Sequence, residues 1–137
     1  HLSGGPCTIS QASAVAALRG EQASVEDLRD ELEERRNETA DLLESIPGVK
    51  LKRPEGTFYC FADFSAFEAD STRLAGLLLE KIQVVTVPGI EFGLEGYLRI
   101  SFCGAMADVR EGVRRMGWLL NDKGSAELKV GDRVFTR

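Results

Sequence analysis

Hydrophobic positions recur along this chain with two periods, and each change of period marks an element. The alanine-rich stretch ISQASAVAALRG, after the breakers Gly4, Gly5 and Pro6, predicts a first helix. Thr8 or Ser10 is the expected cap and Gly20 the expected stop, and the small side chains predict close packing against another element. Val25, Leu28, Leu32, Leu42, Leu43 and Ile46 then predict a longer helix from about Ser24 to Ile46, opened by a capping-box-like Ser24–Asp27 pair and ended by Pro47-Gly48. Its EERRNE segment reads as a solvated face with i,i+4 charge pairs such as Glu31–Arg35. VKLKRPEG alternates apolar and basic residues, as a strand with one wet face does, and TFYCFADFS reads as the next strand. DSTRLAGLLLEKI predicts a helix capped by Asp70 or Ser71, with Leu74, Leu77, Leu78 and Ile82 inward. VVTV predicts a short buried strand stopped by Pro88-Gly89, and IEFGLEG a loop shaped by Gly89, Gly93 and Gly96. YLRISF predicts the last core strand, and MADVREGVRRMGWLL an amphipathic helix with Val109, Val113, Met116 and Leu120 on one stripe. The rest, Asn121 to Arg137, is polar, with room for one terminal strand, LKV or RVF.

The order α-α-β-β-α-β-β-α predicts an α/β fold, specifically an α+β two-layer sandwich. A mostly antiparallel or mixed sheet of about four strands would be covered by helices. The composition shifts only after Leu120, so residues 1–120 are expected to form one domain and residues 121–137 a C-terminal extension or tail.

Composition narrows the function. With 137 residues and 43% hydrophobic content the chain can bury a core. A net charge of −5 argues against nucleic acid or an anionic membrane as the main partner, since both require a basic footprint. No apolar run reaches the ~20 residues needed to cross a bilayer, and no signal-peptide pattern opens the sequence. A cytoplasmic location is expected. Cys7, Cys60 and Cys103 are odd in number and lack a CxxC spacing, so buried free thiols in a reducing compartment are expected rather than disulfides or zinc. His1 is the sole histidine and makes a weak basis for a triad or metal site.

One residue conflicts with its surroundings. Alternation along YLRISF puts Leu98, Ile100 and Phe102 on a core face and Tyr97, Arg99 and Ser101 on the other. Alone, Arg99 is compatible with an ordinary exposed or salt-bridged arginine. Phe58, Tyr59 and Phe61 read first as core packing, with cleft lining as the alternative. Trp118 is expected to be partly buried. Cys103 would need an electropositive, exposed setting to be reactive, and an inert thiol is expected.

The segments PCTISQASAVAAL, ERRNETADLLESIPGV, RPEGTFYCFADFS, VVTVPGIEFGLEGYLRISF and MADVREGVRRM occur in a characteristic order. In that order, over roughly residues 5 to 120, the chain resembles the C-terminal small domain of fold-type I pyridoxal-phosphate-dependent aminotransferases, class I, the aspartate aminotransferase-like family. Gly5-Pro6 stands where members often have Asn-Pro or Ser-Pro, and Asn37 where an acidic residue is common.

The resemblance implies that Arg99 binds the α-carboxylate of an amino acid or 2-oxo acid, and that the whole enzyme transfers an amino group between such acids, aspartate by default. It implies a homodimer and an upstream large domain holding the cofactor. No lysine among Lys50, Lys52, Lys81, Lys123 and Lys129 lies in a Ser-x-x-Lys context, so each is expected to be solvated. No catalytic, cofactor-binding or metal-binding residue is therefore assigned here. The chain alone is expected neither to hold pyridoxal phosphate nor to turn over. A stand-alone amino-acid or carboxylate binding module, and a part of another fold-type I enzyme such as a lyase or synthase, remain alternatives.

Overall fold

The structure is a computed structural model that describes residues 4–121 and 125–136. His1 and Lys123 lie outside the described residues. The chain divides into two units, one up to Glu31 and one from Leu32 onward.

The first unit holds helix α1, Thr8–Arg19, and the first turns of α2, Ala23–Glu44. Cys7, rather than Thr8 or Ser10, occupies the N-cap of α1, and Gly20 ends it, its amide donating to the Ala16 carbonyl. The expected close packing of the alanine face is not found: α1 has no buried residue among those described. Helix α2 starts one residue ahead of the predicted cap, and the Gln22 carbonyl accepts the Glu26 amide at 3.2 Å. Ser24 is thus inside the first turn. Val25 and Leu28 are more than half exposed, against the predicted inward stripe.

The second unit contains a four-stranded sheet of order β1-β2-β4-β3. The strands are β1 Lys50–Leu51, β2 Tyr59–Asp63, β3 Val87–Pro88 and β4 Tyr97–Ser101, and every pairing is antiparallel. Helices α3, Ser71–Ile82, and α4, Met106–Leu120, complete the layer over the sheet together with the end of α2. The predicted α+β sandwich is therefore the observed fold. Its core joins Leu43 and Ile46 to Leu74, Leu78 and Ile82, to Val113 and Met116, and to the strand residues Cys60, Ala62, Leu98 and Ile100. Phe64 and Phe102, just past their strands, are fully buried; each such side chain is worth about 1.5–3 kcal/mol of burial.

Four details differ from the sequence expectation. Leu77 is exposed and Ala75 takes its place inward, because α3 turns its Leu74–Ala75–Leu78–Ile82 stripe to the sheet. The predicted strand VVTV pairs only through Val87 and Pro88, and Val85 is 78% exposed. The strand slides toward Pro88 because its partner residues are Arg99 and Leu98. The tail forms two strands rather than one, β5 Glu127–Val130 and β6 Arg133–Thr136, paired as a hairpin that buries Phe135. Finally, Cys7 and Cys103 are exposed and only Cys60 is buried. Burial pushes the Cys60 thiol up to about 11, which leaves it inert.

Asp70 caps α3 as predicted, accepting the Arg73 amide at 2.9 Å. Trp118 is partly buried and its indole N–H donates to the Ser125 carbonyl at 2.8 Å. Arg35, placed on a solvated face by the sequence, instead donates to the carbonyls of Cys103 and Gly104, both at 2.8 Å, and so ties α2 to the chain leaving β4.

Four carboxyls among the described residues are held below their ordinary range: Glu38 by Arg110, Asp63 by the Ser65 hydroxyl and amide, Glu95 by the Ser71 hydroxyl and amide, and Glu111 by Arg114 and Arg115. A carboxyl depressed in the folded state stabilises it fully above the unfolded value, about 4, and loses that contribution as pH falls through the folded value. The urea midpoint is expected to fall on acidification below about pH 4, and Glu95→Gln should remove part of that slope. An identical slope in the variant would show that Glu95 carries none of it.

Candidate functional site

The strand alternation predicted for YLRISF is the one observed. Leu98, Ile100 and Phe102 are buried beneath the helices, while Tyr97 and Arg99 are partly buried and Ser101 is exposed on the opposite face. Register then determines the neighbours of Arg99. Phe61 of β2 lies directly across from it on one side and Val87 of β3 on the other. Paired residues share a face, so Tyr59, Phe61 and Asp63 stand on the Arg99 side. Phe58 is half exposed. Core packing was the first expectation for these aromatics. For Tyr59 and Phe61 the β2 register overturns it, since the core positions are Cys60 and Ala62, and for Phe58 its exposure does.

The guanidinium of Arg99 lies over two rings, 5.2 Å from the centroid of Tyr59 and 4.9 Å from that of Phe92. Phe61 connects the cluster, with its centroid 5.0 Å from Tyr97 and 5.8 Å from Phe92. Among the described residues no carboxylate forms a salt bridge with Arg99. Other arginines of the chain are paired: Arg53 meets Asp41 and Glu44, and Arg110 meets Glu38. Arg99 is thus a cation held by aromatic contacts, with its N–H donors not committed to an acid. Such contacts contribute roughly 0.5–2 kcal/mol and displace water from the faces of the ion. A less hydrated cation pairs more strongly with an incoming anion.

Phe92 is the residue that sequence reasoning missed. It ends a 3-10 turn, Gly89–Phe92, in the segment predicted as a loop. The glycines do mark the place. A Cβ on Gly89 would come within 2.2 Å of the Leu94 carbonyl oxygen, so only glycine lets this turn fold against the start of β4. Gly96 has a φ of +76° and a Cβ there would meet Ser65 at 2.8 Å.

Next to the cluster, Lys50, Leu51, Lys52, Phe61, Asp63 and Tyr97 line a shallow concavity. Lys50, Lys52, Lys81 and Lys129 are exposed, and none stands in an enclosed setting suited to a covalently held cofactor. No group of three or more potential metal ligands occurs among the described residues. Nor, among these residues, is any helix long and apolar enough to cross a membrane.

The antiparallel α+β domain thus presents the Arg99 guanidinium on an aromatic sheet face. The family of class I and II aminotransferases matches residues 2–116, and the chain belongs to it. An aspartate aminotransferase of Pyrococcus horikoshii is 35% identical over 120 residues, covering 85% of this chain and 31% of the relative. An aspartate/prephenate aminotransferase of Nitrosomonas europaea is also 35% identical, over 127 residues, covering 85% of this chain and 32% of the relative. Among solved structures, the aspartate aminotransferase of Rhizobium meliloti superposes with a TM-score of 0.77 at 31% identity, over 82% of this chain and 30% of that one. The aromatic aminotransferase of Pyrococcus horikoshii does so with a TM-score of 0.79 at 34% identity, over 84% and 32%. The chain therefore spans just under a third of the length of these relatives.

Proposed function

We propose that this chain is the C-terminal small domain of a pyridoxal-phosphate-dependent aminotransferase and that Arg99 binds the α-carboxylate of its substrates. The observation that supports this most is the Arg99 guanidinium on the open sheet face, next to Tyr59 and Phe92 and without an acidic partner among the described residues. A planar guanidinium offers two parallel N–H donors, which fix both the position and the plane of a carboxylate. Fixing that plane sets the direction of the bonds at the neighbouring carbon, and orientation of this kind lowers a barrier by several kcal/mol. The substrates are an amino acid and a 2-oxo acid, with aspartate the first choice given the names of the relatives. The full-length protein is a cytoplasmic homodimer in this reading.

Pyridoxal phosphate, when bound, supplies the electron sink for chemistry at the substrate's α-carbon. The residues present do not fit it. The lysines described are exposed, so the cofactor is assigned to an upstream large domain of the intact enzyme.

The test is amino transfer by the full-length protein from aspartate to a 2-oxo acid, followed by reductive trapping of the cofactor and peptide mapping. The label is expected on a lysine outside these 137 residues. Label on Lys50, Lys52, Lys81, Lys123 or Lys129, or elimination in place of transfer, would contradict the proposal.

A further inference from the structure

The turn that carries Phe92 is fastened at a point remote from Arg99. Glu95 accepts two hydrogen bonds from Ser71 through one carboxylate oxygen, from the amide at 2.9 Å and from the hydroxyl at 2.6 Å. The same hydroxyl accepts the Ile90 amide at 3.1 Å. Ser71 is fully buried at the first position of α3, where the helix field favours a carboxylate. The turn is closed on itself as well, the Leu94 amide donating to the Gly89 carbonyl at 3.0 Å. A second tie joins the Phe64 amide to the Gly96 carbonyl at 2.7 Å.

A buried serine with donor and acceptor both in use, bridging residues on either side of Phe92, has a consequence for the ring. Ile90 and Glu95 are both fixed to α3, so Phe92 between them has little freedom to leave Arg99. We propose that Ser71 and Glu95 are positioning residues: their hydrogen-bonded latch holds Phe92 over the Arg99 guanidinium and so sets affinity for the substrate carboxylate. This rests on the assignment of Arg99 as the carboxylate ligand. It adds a role for two residues 24 positions apart in sequence that hydrogen-bond to each other and not to the guanidinium.

The test uses the full-length protein with four variants: Ser71→Ala, Glu95→Gln, Phe92→Ala and, as control, Arg99→Lys. Losing one or two hydrogen bonds at the latch is expected to raise KM for the amino acid about 3- to 10-fold, with kcat held within about twofold. Phe92→Ala should match that change, because it removes the ring that the latch positions. Phe92 is 48% exposed, so this variant keeps the test available if a latch variant does not fold. Hydrogen exchange at the Ile90 amide should quicken in Ser71→Ala and not in Phe92→Ala. Quickened exchange with KM unchanged would overturn the latch as a positioning device, as would an unchanged KM in Phe92→Ala. If Arg99→Lys alone leaves the kinetics unaltered, the carboxylate assignment itself fails. If it weakens amino-acid use while both latch variants and Phe92→Ala do not, only the latch fails.

Discussion

Arg99→Lys in the full-length protein is expected to lower kcat/KM for the amino acid about 10- to 100-fold while cofactor absorbance is unchanged. The charge survives the substitution. What goes is the fork, because an ammonium is a point donor and cannot hold a carboxylate in one plane. Charge-assisted hydrogen bonds are worth about 1.5–3 kcal/mol, which sets the size of the loss. The aromatic setting adds to it: Tyr59 and Phe92 lie 5.2 and 4.9 Å from the guanidinium carbon, and a strongly hydrated ammonium gains less from that site. Steady-state kinetics with the absorbance spectrum as control measure this directly. Unaltered kinetics would remove Arg99 from the site.

Gly89→Ala is expected to destabilise the protein by about 1–3 kcal/mol and to weaken amino-acid use as well. An added Cβ would stand 2.2 Å from the Leu94 carbonyl oxygen and 2.7 Å from that of Tyr97. Both are backbone atoms, so the turn or the start of β4 must move, and Phe92 moves with the turn. Gly93→Ala is the comparison. Its φ of +79° strains a side chain, but no atom lies within 4 Å of the added carbon. It should cost only about 1–2 kcal/mol, the ordinary penalty of left-handed backbone. Denaturant unfolding of both variants separates steric from conformational cost. Equal losses would show that the close approach at Gly89 is relieved cheaply.

The parts of this fold legible in the sequence are those with unambiguous periodicity. Strand alternation in YLRISF gave the correct face to every residue from Leu98 to Phe102, and Asp70 acts as the expected cap. Helix α1 shows where pattern fails, because small residues predict packing whether or not a neighbour is there, and none of its described residues is buried. The aromatics of β2 were misread for a related reason. Phe61 and Cys60 are both apolar, so alternation alone does not say which faces the core, and pairing with Arg99 decides it. Leu77 illustrates a smaller ambiguity, since the stripe of Leu74, Leu77, Leu78 and Ile82 on α3 exceeds the width of its contact with the sheet. The Ser71–Glu95 latch had no sequence signal at all, because it joins a helix start to a loop through tertiary contact.

Binding of a non-reactive dicarboxylate analogue of aspartate to the full-length protein, followed to a crystal structure, tests the Arg99 assignment most directly. The expected result is one carboxylate in a two-bond pair with the Arg99 guanidinium, beside the rings of Phe92 and Tyr59. An analogue seated elsewhere, with the guanidinium turned to an acidic side chain of the protein, would contradict it.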